Sequence, residues 1–311
     1  MYILPRNRGE EALLKELLPV KKSSFINNVR NFFLEKGFVE VSTPSLSPYP
    51  GLDPNIEPIR IEYSGEILFL HTSPELSMKK ILAKSNLTKI FQVCRVFRKE
   101  PFIDELHNIE FDLVEFYVKE EDYRTLIKIA MELLLFLSEI YGKRELKYKE
   151  SKAIIDGSFE IVSLEELTKS ILGKSIKDVV EEEFWKIFVT HIEPIIRQKK
   201  KPTFVIDWPH FSSIMSREKN DKKWLIERVE LFLAGVEVMN GNTENVDPVK
   251  QLNRMLKEAK KRFGEDYEKY IDKEFIELIP NLGLTSGAAI GVDRLLMLFE
   301  GLENITSTFN I

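Results

Sequence analysis

Residues 89–118 read KIFQVCRVFRKEPFIDELHNIEFDLVEFYV, and their reading decides the fold. Ile90–Arg98 is apolar and β-branched, and Ile109–Val118 alternates cleanly, so the stretch predicts two β-strands joined by a loop longer than a tight turn. Period two puts Phe111, Leu113, Glu115 and Tyr117 on one face and Glu110, Asp112, Val114, Phe116 and Val118 on the other. A face carrying an aromatic ring, a carboxylate and a phenol is costly to bury unless its polar groups are paired or bind something. Arg98 and Glu100 close the first strand on one face, and the loop adds Asp104, Glu105 and His107. A solvated hairpin with surface ion pairs is the less favoured alternative for this stretch, and the rest of the chain has to decide.

Outward from that hairpin, Ser23–Lys36 predicts a helix capped by Ser23 or Ser24 and ended by Gly37, with a shorter helical stretch over 10–22 stopped at Pro19. Phe38–Val41 reads as a strand, and residues 44–58 as a proline-rich loop. Ile59–Tyr63 and Glu66–His71 form a hairpin turned at Ser64-Gly65. Thr72 or Ser73 is the natural N-cap of the next helix, with Pro74 and Glu75 in its first turn. Glu121–Tyr141 is an amphipathic helix, and 151–200 is mostly helical in pattern. Pro202–Trp208 reads as a buried strand, Leu231–Met239 as another with Asn240-Gly241 as its turn, and 248–270 as a charged helix. Gly283–Phe299 is punctuated by glycine and then helical, with Asp293 and Arg294 in its first turn. The pattern is α+β: an antiparallel sheet with helices packed on it, one domain over 1–311 with a helical insertion at about 150–200.

The 311 residues carry 43% hydrophobic and 31% charged side chains, which suits a globular chain, and a net charge of −5, which disfavours an extended nucleic-acid surface. The apolar run Leu133–Leu137 is far too short to span a membrane, and the first residues lack the apolar core of a signal peptide. The single cysteine, Cys94, reads as a core residue and fits a reducing cytoplasm. No P-loop, dinucleotide fingerprint or paired-histidine metal signature is present. Arg98, Arg294, Phe111, Glu237 and Glu244 nevertheless form an inventory for a nucleotide site: two guanidiniums for phosphates, a ring for a base, two carboxylates for Mg²⁺.

These residues sit in recognisable segments. VFRKE…HNIEF…VEFY resembles motif 2 of class II aminoacyl-tRNA synthetases, GAAIGVDRLLML their motif 3, and FFLEKGFVEVSTPSL, ending at Pro44, their motif 1. HTSPELSMKKIL, FQVCRVFRKE, HNIEF and GVEVMNGNTEN are similar to the lysyl-tRNA synthetase catalytic core. Few residues precede motif 1, too few for an anticodon-reading domain. A core of this kind resembles the paralogous ligases that attach (R)-β-lysine to a lysine of elongation factor P. The resemblance implies an ATP-dependent, AMP-forming ligase that uses Mg²⁺, is cytoplasmic, is built as a homodimer through motif 1, and does not take tRNA.

The resemblance also implies roles. Arg98 holds the α-phosphate and Arg294 the far phosphates, the two catalytic groups. Glu100 meets the adenine amino group, Phe111 stacks on the ring, and His107, Asn108, Val238 and Gly291 contact ATP. Glu237 binds ATP through Mg²⁺, with Glu244 as the second metal carboxylate. Ser73, Pro74 and Glu75 grip the amino group of lysine or (R)-β-lysine, and Tyr117 and Glu244 meet its distal ammonium. The chain departs from the family where an arginine two residues before His107 is Glu105, where Ile109 replaces a proline, and where Asn242 replaces a phenylalanine. A synthetase-like core acting on tRNA, a non-catalytic regulator and an asparagine synthetase-like ligase remain as alternatives.

Overall fold

The structure is a computed structural model and describes residues 17–309 apart from Asn55 and Phe102. Its centre is an eight-stranded sheet. In chain order the strands are β1 (Val39–Glu40), β2 (Lys89–Phe97), β3 (Glu110–Lys119), β4 (Glu160–Ser163), β5 (Thr203–Ile206), β6 (Arg228–Leu233), β7 (Val236–Thr243) and β8 (Thr285–Gly291). Their order across the sheet is β1-β2-β3-β8-β7-β6-β5-β4. The six inner strands pair antiparallel, but β1 joins β2 in parallel and β4 joins β5 in parallel, so the sheet is mixed.

One face of the sheet is apolar and covered by helices. Val114, Phe116 and Val118 of β3 pack with α1 (Leu18–Glu35), with α3 (Tyr123–Tyr141) and with α5 (Val292–Glu300) in one core. Phe33 of α1 lies 5.1 Å from Phe91 and 5.0 Å from Phe116, ring centre to ring centre. Aromatic contacts of this kind contribute about 0.5–1.5 kcal/mol beyond burial. The alternation expected for 109–118 therefore holds: one face of β3 feeds this core and the other stays open.

Four local expectations change. The first helix begins at Leu18, with Pro19 in its first turn, because proline lacks only an N–H that has no partner there; residues 10–16 of the shorter expected helix lie outside the described residues. Pro74, not Thr72 or Ser73, takes the N-cap position of α2 (Glu75–Lys84), although the Ser73 hydroxyl still accepts from the Glu75 N–H at 3.0 Å. Asn240-Gly241 is not a turn but the middle of β7; the hairpin between β6 and β7 turns at Ala234 and Gly235, with φ of 48° and 79°. Gly241 serves instead for close packing, since a Cβ there would lie 2.6 Å from that of Ala288. Cys94 is a half-buried free thiol, and burial pushes its pKa up, away from nucleophilic use.

Between β4 and β5 the chain is helical, and its buried residues Leu164, Phe184 and Ile192 join Trp208 and Phe232 in a second apolar cluster. Helix α4 (Pro248–Phe263) follows β7 and packs through Met255 and Ala259.

Candidate active site

The open face of the sheet is laid out in rows. Tyr117, Gly287, Asn242 and Arg228 stand side by side across β3, β8, β7 and β6, and the next row is Glu115, Ala289, Asn240 and Glu230. Gly287 is required by its neighbour, because a Cβ there would meet the Tyr117 ring at 2.2 Å. Over these rows lie two cavities of about 180 Å³ and 120 Å³, and Arg98, Asn240, Ala289 and Ile56 line both.

The smaller cavity gathers the candidate nucleotide residues from three distant segments. Arg98, Glu100, His107, Asn108 and Phe111 come from the β2–β3 hairpin; Glu237 and Val238 from β7; Gly291 and Arg294 from the β8–α5 junction. The Arg98 guanidinium stands over the Phe111 ring at 4.9 Å, and its Nε reaches the Thr72 carbonyl at 3.4 Å. Burial, then the nearby Arg294, lowers the Arg98 pKa. Two guanidiniums held this close on one cavity wall form an environment suited to a phosphate chain.

Arg294 donates to the Glu237 carbonyl at 2.8 Å and to the Leu106 carbonyl at 3.3 Å. Its helix start is fixed by Asp293, which is fully buried and accepts from the Asp112 N–H at 2.7 Å and from the Thr308 hydroxyl at 2.6 Å. Lys22 lies 2.6 Å from Asp293 and 2.7 Å from Asp112, tying α1, β3 and α5 together behind the site. Asp104 orders the loop, accepting from the N–H groups of Leu106 and His107 at 2.8 Å each. Glu105 pairs with Lys149 at 3.3 Å.

The larger cavity is acidic. Ser73, Glu75, Tyr117 and Glu244 line it, as do Asp53 and Glu115. Pro74 does not; it faces a smaller neighbouring cavity. Glu115 is 2% exposed and accepts from the Tyr117 hydroxyl at 2.6 Å and from the Ser73 hydroxyl at 2.5 Å. Burial, reinforced by Glu75, pushes its carboxyl up to about 7. Lys79, 1% exposed, sits 2.6 Å from Glu75 and 2.5 Å from Glu244. Burial works against its charge, but Glu244 and Glu75 outweigh it and hold the ammonium above its usual range. The side-chain amide nitrogen of Asn242 is buried with no hydrogen-bond partner among the described residues and belongs to the same wall.

The two carboxylates expected to share a metal therefore line different cavities: Glu237 the smaller one, Glu244 the larger one, where it faces Lys79. Among the described residues, no group of three or more histidine, cysteine, aspartate or glutamate side chains is arranged to hold a metal ion by itself. Glu115, Lys79, Asp53 and Arg228 were not singled out for the site from the sequence. Glu115 carried a signal, since it shares the unusual strand face with Phe111 and Tyr117.

A motif 2 hairpin, a motif 3 helix start and two cavities joined at one arginine agree with a direct comparison. The tRNA synthetases class II (D, K and N) family matches residues 13–310. The chain belongs to this family. Among class II relatives it is 35% identical over 307 residues to the elongation factor P--(R)-beta-lysine ligase homolog of Aquifex aeolicus, covering 92% of this chain and 96% of that one. It is 33% identical over 310 residues to the lysine--tRNA ligase of Wigglesworthia glossinidia brevipalpis, covering 91% and 62%, and 31% identical over 309 residues to that of Helicobacter pylori strain Shi470, covering 92% and 61%. The chain thus spans about three fifths of the lysine--tRNA ligases it matches. It is a lysyl-tRNA synthetase-like class II ligase with an α+β fold. No helix among the described residues is long and apolar enough to cross a membrane.

Proposed function

We propose that the protein activates lysine or (R)-β-lysine with ATP and transfers the acyl group to a lysine of elongation factor P. The observation that carries this reading is Arg98, the one guanidinium among the described residues that lines both cavities. A carboxylate placed in the acidic cavity and an α-phosphate placed in the other would meet beside it. A carboxylate oxygen attacks the α-phosphorus, the bond to the β-phosphate oxygen breaks, and pyrophosphate leaves. Arg98 stabilises charge that grows on the phosphorus, and Arg294 holds the leaving group. Phe111 supplies a face for the adenine. No protein nucleophile is needed, because alignment and charge carry the step.

Mg²⁺ fits this site through Glu237, whose carboxylate lines the nucleotide cavity 3.9 Å from Arg294; Mg²⁺ is commonly held by one or two carboxylates together with phosphates, and would neutralise the leaving pyrophosphate. Glu244 is engaged by Lys79 and is better placed to shape the amino-acid cavity. Glu115, Tyr117 and Glu244 make that cavity suited to an ammonium and hostile to the side chain of aspartate.

Support for this acceptor comes from a relative of which this chain covers 96%, whose name includes elongation factor P. The lysine--tRNA ligases favour a second reading, a core that charges tRNA. Incubation with ATP and each lysine isomer, with mass spectrometry of elongation factor P and acid-gel analysis of tRNA-Lys, separates the two. Acylated factor with uncharged tRNA supports the proposal; charged tRNA with unmodified factor supports the second reading. A cytoplasmic homodimer belongs to the same proposal: Leu34 and Val39 are exposed at α1 and at the sheet edge. A monomer in light scattering would refute the dimer.

A further inference from the structure

The carboxylates around the amino-acid cavity are engaged, with one exception. Glu75 and Glu244 share Lys79, Glu115 accepts hydrogen bonds from two hydroxyls, and Glu230 accepts from Arg228. The Asp53 side chain lines the cavity and makes no hydrogen bond or ion pair among the described residues. Its backbone, by contrast, is anchored. The Asp53 carbonyl accepts from Arg262 at 2.8 Å and from the Ile56 N–H at 3.3 Å, and the preceding Leu52 is buried. A carboxylate held on a fixed backbone, with no hydrogen bond or ion pair from the described residues, is available to a partner that arrives later.

Its position says which partner. Glu115 and Glu244 are 2% and 4% exposed, whereas Asp53 is only half-buried. Ile56, three residues on, lines both cavities, so this loop borders the junction where Arg98 stands. The charges facing Asp53 are Glu75 and Lys79 of α2, Arg98 after β2 and Arg228 of β6. An acceptor lysine entering from solvent meets this loop before the deeper carboxylates.

We propose that Asp53 is the base that takes the proton from the acceptor amine in the transfer step. This rests on the amide-forming reading given above. A lysine ammonium, with an ordinary pKa of about 10.4, carries no lone pair at neutral pH. Asp53 accepts one proton, the freed nitrogen attacks the adenylate carbonyl, a C–N bond forms, and the C–O bond to AMP breaks. AMP leaves with the bonding pair, the nitrogen sheds its second proton to water, and Asp53 later returns its own to solvent. Burial, then Glu75, holds the Asp53 carboxyl up at about 6, which favours proton capture near neutrality.

The test compares two steps in the same protein. Wild type, Asp53→Asn and Asp53→Glu are assayed for amino-acid-dependent ATP–pyrophosphate exchange. They are then assayed for single-turnover transfer from bound adenylate to elongation factor P and to hydroxylamine, whose nitrogen is already unprotonated at neutral pH. In Asp53→Asn, transfer to the factor should fall about a hundredfold further than exchange does, the scale of general-base catalysis. Transfer to hydroxylamine should fall far less, and Asp53→Glu should recover part of the loss. Exchange and transfer falling together, with a raised KM for the amino acid, would overturn the proposal and make Asp53 a holder of the substrate's own amino group. Unchanged transfer to the factor would also overturn it. A wild type that acylates no amine at all would instead remove the amide-forming reading, and the base with it.

Discussion

The Lys79 ammonium lies 2.5 Å from the Glu244 carboxylate, a buried ion pair that joins α2 to the end of β7 under the larger, acidic cavity. Both partners are almost fully buried, and Glu75 completes the cluster at 2.6 Å from the same nitrogen. Removing one member of such a pair leaves a charge in a poor solvent, at a cost of about 3–5 kcal/mol. Lys79→Met should therefore lower the melting temperature more than Lys79→Met combined with Glu244→Gln. A double-mutant cycle by thermal or urea unfolding measures this. Additive losses would show that the pair contributes nothing of its own.

Glu115 links the acidic cavity to pH. Its folded-state carboxyl is held at about 7 by burial and by Glu75, above the ordinary value of 4.5. Between those values the empty folded protein keeps a proton that the unfolded chain has lost. Stability without substrate therefore falls as pH rises through that window. An ammonium in the cavity needs the ionised form, so binding expels the proton. The KM for lysine should rise as pH drops below about 7, and calorimetry in buffers of different ionisation enthalpy should register proton release. A KM flat across this range would contradict the account.

Gly287 sits where a side chain has no room. A Cβ at this position would lie 2.2 Å from the Tyr117 ring, which itself donates to Glu115. Gly287→Ala must push that ring aside, an overpacking of about 1–3 kcal/mol. The KM for the amino acid should rise roughly tenfold to a hundredfold, with the KM for ATP much less affected, because Gly287 lines only the larger cavity. Steady-state exchange kinetics in each substrate check this.

The sequence was legible where a short period or a fixed local spacing governs the outcome. Alternation along β3 correctly separated Phe111 and Tyr117 from Phe116 and Val118, because strand geometry turns that reading into a face. Lys79 was hidden, because Lys79-Lys80 in an amphipathic helix looks like a solvated pair. Only the packing of α2 against the end of β7 buries the first of them, while the second reaches Asp272 at 2.7 Å nearer the surface. Asp53 was hidden in a proline-rich loop without periodicity. Asn240-Gly241 misled for the opposite reason: a strong local turn signal was overridden by pairing with β6 and β8 on both sides. The parallel edges were not legible either, since a two-residue strand such as β1 takes its direction from the partner it meets.

In the proposed function Arg98, between the two cavities, joins a cationic amino acid to ATP. Amino-acid-dependent ATP–pyrophosphate exchange across lysine, (R)-β-lysine, aspartate and asparagine, run with wild type and Arg98→Ala, tests it most directly. Exchange is expected with a lysine isomer, none with aspartate or asparagine, and a loss on the order of a hundredfold or more in Arg98→Ala. Exchange with aspartate, no exchange with any lysine isomer, or full exchange without Arg98 would contradict it.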